Sequence, residues 1–238
     1  MIQIALNGAR PKPESKYIPN TPREIKSDVL KLFNAGFNLF HIHIYDNEGK
    51  ESLADKDVNK IIRGVRNISG KIKVGISTGD WIEPNLNKRI KQIRSWKVLP
   101  DFASVNIVEQ DSIEISEELI KKGIKIEAGI TDPETAEKFA RSSIINDCIR
   151  ILIEPQEQNI KDALVTVKKI ETILDDHKIK VKRLLHGFDL TAWDLVEEAI
   201  KRGYDARIGL EDTIFLPWGS EASGNLELAE KALRLGPK

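Results

Sequence analysis

Eight short apolar runs, each followed by a stretch whose apolar residues fall at helical spacing, recur along this 238-residue chain. The runs occupy residues 2–6, 38–44, 72–76, 102–106, 124–128, 149–153, 182–186 and 206–210, and read as strands. Helical stretches follow from residue 22 to about 35, then over 55–65, 87–96, 116–122, 133–140, 159–174, 191–202 and 225–235. The first helix is announced by Thr21-Pro22-Arg23-Glu24: Thr21 as N-cap, Pro22 at the first helical position, and Glu24 three residues after the cap. The loop before it, after Asn7-Gly8-Ala9-Arg10, is kept irregular by Pro11 and Pro13. Eight strand–helix units in about 240 residues is the pattern of a closed (β/α)8 barrel, with a doubly wound open sheet as the alternative. No linker or low-complexity segment divides the chain, so the expectation is one α/β domain, a TIM barrel over residues 1–238.

In such a barrel the chemistry lies at the C-terminal ends of the strands. Polar residues should therefore gather there, and they do: Asn7, His41 and His43, Ser77 and Thr78, Asn106, Glu127, Glu154, His186, and Glu211 with Asp212. Taken singly, most have plain structural readings. Asn7, Asn106 and Ser77 could cap backbone groups, Glu154 could fit a turn before Pro155, and His186 could be a core histidine. Their convergence on one rim is harder to explain that way. In His41-Ile42-His43 the two imidazoles stand two residues apart, so on a strand they leave the same face. By itself that motif is equally a half-buried strand with satisfied histidines. A carboxylate delivered from the last strand, in Arg207-Ile208-Gly209-Leu210-Glu211-Asp212, would complete a two-histidine, one-carboxylate set of the kind that holds catalytic zinc with a position left open.

Composition narrows the class. Thirty-seven basic residues balance thirty-seven acidic ones, which argues against a nucleic-acid binder and against an obligatory anionic membrane surface. The single cysteine, Cys148, excludes an internal disulfide and suits a cytoplasmic protein. No apolar run is long enough for a membrane span, and Met1-Ile2-Gln3-Ile4 does not open a signal peptide. Trp193 and Trp218 near the barrel's outer helices suggest a homo-oligomer.

With these residues assembled, the chain resembles the β-keto acid cleavage enzymes, including the 3-keto-5-aminohexanoate cleavage type. The resemblance is carried by Ala5-Leu6-Asn7-Gly8-Ala9-Arg10, Thr21-Pro22-Arg23-Glu24, Ala35-Gly36, His41-Ile42-His43-Ile44-Tyr45-Asp46 with Gly49, Ser77-Thr78-Gly79, Ala103-Ser104-Val105-Asn106, Gly123 through Glu127, and Arg207 through Asp212 with Asn225. These run from end to end in order. The resemblance implies a barrel holding one Zn2+ on His41, His43 and Glu211, with acetyl-CoA as co-substrate and acetoacetate plus a new acyl-CoA as products. It further implies Asp212 as proton acceptor oriented by Arg207, with Ser77, Asn106 and Glu127 lining the substrate pocket; Ser77 is expected to be catalytic, and Asn7 and Arg10, at the rim after the first strand, to bind substrate. The chain departs from the family pattern at Tyr45, where many members carry arginine, and at Asp80, where many carry glycine. Asp80 would repel an anionic ligand if it faced one. Arg10 replaces an acidic residue of members acting on an amino-bearing substrate, so it is expected to favour neutral or anionic substrate tails over an ammonium. The rival readings are a zinc-dependent aldolase or lyase on the same barrel that never uses CoA, and a non-catalytic metal-binding barrel.

Overall fold

Each strand of this chain buries both faces, one against helices and one inside a closed ring, and that double burial dictates the architecture. A computed structural model describes residues 1–10 and 12–236; Pro11 lies outside the described residues. The strands are β1 (Ile2–Ala5), β2 (Leu39–Ile42), β3 (Lys73–Ser77), β4 (Phe102–Asn106), β5 (Lys125–Ile130), β6 (Cys148–Ile153), β7 (Arg183–Leu185) and β8 (Asp205–Ile208). They pair in parallel in chain order, and β1 closes on β8 through Ile2–Ala206, Gln3–Arg207 and Ile4–Ile208. The helices are α1 (Pro22–Asn34), α2 (Asp55–Arg66), α3 (Leu86–Ser95), α4 (Ser112–Lys121), α5 (Pro133–Ala140), α6 (Ile160–Asp176), α7 (Ala192–Arg202) and α8 (Asn225–Leu233). The chain is thus a single-domain (β/α)8 barrel.

Alternate strand residues such as Ile4, Phe40, Ile42, Val74, Ile76, Val105, Ile151 and Ile208 are buried in the apolar core with the helices' inner faces. The intervening residues point to the barrel axis. α1 starts as its sequence dictates: the Thr21 side chain accepts from the Glu24 backbone N–H, and the Glu24 carboxylate accepts from Thr21 N–H. α4 begins four residues earlier than its periodicity suggested, because Ser112 is buried and its hydroxyl donates to the Ile107 carbonyl. No helix among the described residues is long and apolar enough to cross a membrane.

Strand register fixes which inward residues share a level. His41 stands level with Ala5 and Gly75. Ser77 pairs with Ser104, Ser104 with Glu127, and Asn106 with Gly129. The expectation that Glu127 ends its strand is therefore corrected. β5 continues to Ile130, which puts Glu127 two residues below the rim and gives the rim position to Gly129.

Candidate active site

At the C-terminal mouth of the barrel lies a cavity of about 760 Å3 whose walls include His41, His43, Ser77, Asn106, Glu154, Arg207 and Glu211. Small inward side chains at Ser77 and Ser104 leave the space open. β2 ends at Ile42, and His43 follows directly, so both imidazoles face the cavity, with ring centroids 5.2 Å apart. β8 ends at Ile208, and the chain then turns, with Asp212 and Thr213 N–H both donating to the Gly209 carbonyl. Gly209 is required there, because a Cβ would overlap the Ala5 carbonyl across the β1–β8 seam. The turn sets Glu211 opposite the histidines. His41 Nε2 lies 3.6 Å from one Glu211 oxygen and His43 Nε2 3.5 Å from the other.

Those spacings suit one ion. Ligands about 2.1 Å from a tetrahedral zinc stand roughly 3.4 Å apart. Ligand atoms of the three residues all lie within 4.8 Å of one another, and Glu211 Oε2 is buried without a hydrogen-bond partner among the described residues. Charge at the cluster is arranged to match. Burial drives the His41 imidazole down to about 3, keeping it neutral as a ligand must be. Burial also opposes charge on His43, but Glu211 and Glu51 outweigh it and raise that imidazole to about 9. Glu211 is held well below the usual carboxylate range, against burial, by Arg207 and the two histidines. Glu51, unremarked in the sequence, binds His43 Nδ1 and accepts from Trp81 Nε1 at 2.6 Å. A carboxylate on the far nitrogen of a histidine fixes its tautomer and sharpens its basicity toward a metal.

Arg207 links the cluster to the wall. Its Nη2 donates to Glu211 Oε1 and to Asp212 Oδ1, each at 2.7 Å, and its Nε donates to Asp212 at 3.1 Å. Nη1 has no protein partner among the described residues. The turn after β8 brings Arg207 and Asp212 together although strand alternation would separate them. Asp212 is fully buried behind the guanidinium, which its carboxylate anchors.

The other expected residues divide. Ser77 and Asn106 line the cavity. Asn106 Nδ2 donates to Glu109, whose carboxyl is raised to about 7 by burial and by Asp80. Asn7 is buried and does not line the cavity. Its Oδ1 accepts from His43 N–H and its Nδ2 donates to the His43 and Pro19 carbonyls, so it clamps the strand end that carries His43. Glu127 is fully buried below the cavity, where both its oxygens accept from Gln3 Nε2 and Arg150 Nε stands 3.4 Å away. Arg10 does line the cavity, but it is not a free cation. It donates to the Glu211 and Asp212 carbonyls and pairs with Glu14 and Asp189, which removes the basis for expecting it to repel an ammonium. Asp80 is exposed and outside the cavity wall.

A family model described as beta-keto acid cleavage enzyme matches residues 1–237. The chain belongs to the β-keto acid cleavage enzyme family. A 3-keto-5-aminohexanoate cleavage enzyme from Fusobacterium nucleatum is 22% identical over 99% of this chain and 90% of its own length. One from Acetoanaerobium sticklandii is 20% identical over the same shares. Among solved structures, the apo structure of ObcA superposes with a TM-score of 0.72 at 14% identity, over 92% of this chain. This chain spans 61% of that structure's length, and the likeness shows the shared fold. The family makes this chain an enzyme cleaving a β-keto acid, with a His/Glu cluster able to hold a metal at the barrel mouth.

Proposed function

We propose that the enzyme uses one zinc ion, held by His41, His43 and Glu211, to condense a β-keto acid with acetyl-CoA and release acetoacetate and a new acyl-CoA. The observation that supports this reading most is the ligand cluster in the cavity wall, whose ligand atoms all lie within 4.8 Å of one another, with one buried Glu211 oxygen unpaired. Bound there, zinc would supply Lewis acidity to a ketone oxygen. The protein's own groups supply the rest. Arg207 Nη1 is free to receive the substrate carboxylate, and Asp212 and Glu211 hold the other guanidinium nitrogens so that this edge stays fixed. The Ser77 hydroxyl lines the cavity as a donor to substrate oxygen. With its amide nitrogen on Glu109, Asn106 turns its carbonyl oxygen toward the wall between β4 and β5.

Atoms balance without a further reactant: the acetyl group moves from sulfur to the keto acid's α-carbon, and the original acyl group moves to sulfur. Purified enzyme loaded with zinc, given a panel of β-keto acids with and without acetyl-CoA, tests this. Acetoacetate that forms only with acetyl-CoA supports the proposal. Cleavage without it favours the aldolase or lyase reading, and bound zinc with no turnover on any keto acid favours a binding barrel.

A further inference from the structure

Two acceptor oxygens meet at one point of the cavity wall, with no protein donor between them among the described residues. One belongs to Glu154, the residue after β6, and the other to Asn106, the last residue of β4; both line the cavity.

The barrel's register explains how they meet. The rim position of β5 is Gly129, level with Asn106 of β4 and Leu152 of β6. A Cβ at residue 129 would collide with Glu154 Oε1 and would stand 3.1 Å from Asn106 Oδ1, so the glycine leaves a notch that these two oxygens border. Each side chain is held in that orientation from behind. Glu154 Oε2 is turned toward the buried His186, whose Nε2 is 3.2 Å away, which leaves Oε1 for the notch. Asn106 Nδ2 donates to Glu109 at 3.2 Å, and the fully buried Arg89 donates to the other Glu109 oxygen at 3.1 Å. The Asn106 amide oxygen is therefore the atom that turns to the notch. Gln156, a wall residue that could donate to the Glu154 carboxyl group, donates instead to the Glu154 main-chain carbonyl at 2.8 Å.

The Glu154 side chain is only 9% exposed. An acceptor so nearly dehydrated is costly to leave without a donor once a ligand displaces water from the cavity. The missing donor must then come with the ligand. Placement says which part of the ligand brings it. β6 lies across the eight-strand ring from β2, the strand whose end carries His41 and His43. A β-keto acid held at the metal cluster and at Arg207 would extend its tail away from β8, β1 and β2, toward the wall made by β4, β5 and β6.

We infer that Glu154 and Asn106 set the specificity for the keto acid, and that its tail carries a hydrogen-bond donor, a hydroxyl or an ammonium, which donates into this notch. This rests on the proposed reaction and leaves the chemistry at the metal cluster, Arg207 and Asp212 as it is.

The test uses zinc-loaded full-length protein, acetyl-CoA and matched β-keto acids of one chain length that carry hydroxyl, ammonium or hydrogen alone at C4, C5 or C6. Initial rates of acyl-CoA formation give kcat/KM for each acid. At one of these carbons the donor-bearing acid should be preferred over its hydrogen counterpart by about 10- to 100-fold or more, because an acid without the donor leaves the buried Glu154 oxygen unpaired. Glu154→Ala should bring that ratio to within about threefold of one, with zinc content and the KM for acetyl-CoA as in the wild type. Glu154→Asp withdraws the oxygen by one carbon and should lower the same ratio by about threefold or more; it carries the test if the alanine variant folds poorly. Glu154→Gln keeps shape and one acceptor oxygen without the charge. A hydroxyl acid should keep most of its preference there and an ammonium acid should lose it, which separates the two donors. Wild-type ratios near one at every position overturn this inference and leave the proposed reaction standing, as does a preference that survives both Glu154→Ala and Glu154→Asp. A raised KM for acetyl-CoA in Glu154→Ala with the keto-acid ratio unchanged gives the notch to the coenzyme and overturns the inference as well. A wild-type protein that turns over none of these acids overturns the proposed reaction and this inference with it.

Discussion

Replacing Glu51 by glutamine should loosen the metal without touching a ligand. Glu51 is 12% exposed at its side chain and serves two N–H donors at once, His43 Nδ1 and Trp81 Nε1. The Trp81 ring lies nearly parallel to His43, with centroids 6.2 Å apart, so the three groups form one support. A glutamine has one acceptor oxygen and one NH2 group in place of two acceptor oxygens. It can satisfy His43 or Trp81, not both; Trp81 is 47% exposed and can turn to water, so the cost of about 1–3 kcal/mol arises where the buried His43 Nδ1 loses its partner. At 1.4 kcal/mol per tenfold, that is roughly a 5- to 140-fold effect, overlapping the ~10–100-fold usual for losing a carboxylate behind a metal-bound histidine. Competition against a chromophoric chelator at fixed pH measures it. We expect the Kd for zinc to rise by about 10–100-fold, with Tm of the zinc-free protein falling by a few degrees. A Kd within twofold of wild type would show that His43 is held by the barrel alone and that Glu51 is only a loop carboxylate.

Further outcomes follow from the same geometry. The double variant His41→Ala, His43→Ala should retain almost no zinc by elemental analysis, and full occupancy would place the metal elsewhere. Zinc must displace the proton that His43, raised to about 9, carries in the metal-free protein. Apparent zinc affinity should therefore climb by about tenfold per pH unit from 7 toward 9 and then level off, and a flat profile would contradict it. The same shift makes a stability statement: the charged His43 stabilises metal-free protein fully below its unfolded value of about 6.5, and that contribution is lost as pH rises through about 9. Asp212→Asn should keep zinc but lower kcat by about a hundredfold or more, the usual scale for a general base, and wild-type turnover in that variant would exclude Asp212 as the proton acceptor.

The barrel was legible because its two burial patterns coincide with its periodicities, and the eight strand–helix units fall where the apolar spacing puts them. The metal cluster was legible for the same reason: two histidines at strand spacing need no long-range information, and Glu211 sits at the end of the last strand. What could not be read was register. One strand two residues longer than expected took Glu127 off the rim and gave its place to Gly129, which only the pairing with β4 and β6 reveals. Glu154 then fills that notch from the neighbouring strand, although before Pro155 it looked like a turn residue. Glu51 was missed because its partner is eight residues away through a turn. Asp46 caps the Glu48 and Lys50 N–H groups, and Gly49 takes a positive φ of 80°, which folds the chain back onto His43. Asp46 through Gly49 carried that signal, had the turn been followed to where it returns. Arg10 was placed correctly on the rim side, but its pairing with Glu14 and Asp189 is a property of the folded loops.

The central claim, that the acetyl unit and the substrate's acyl unit exchange partners, is tested most directly by isotope. Zinc-loaded enzyme is given an unlabelled β-keto acid that it turns over and acetyl-CoA labelled with 13C in both acetyl carbons, and the products are resolved by mass spectrometry. Acetoacetate carrying both labelled carbons and a new acyl-CoA carrying none are the expected products. Unlabelled acetoacetate, or keto-acid cleavage that proceeds equally well without acetyl-CoA, would contradict it.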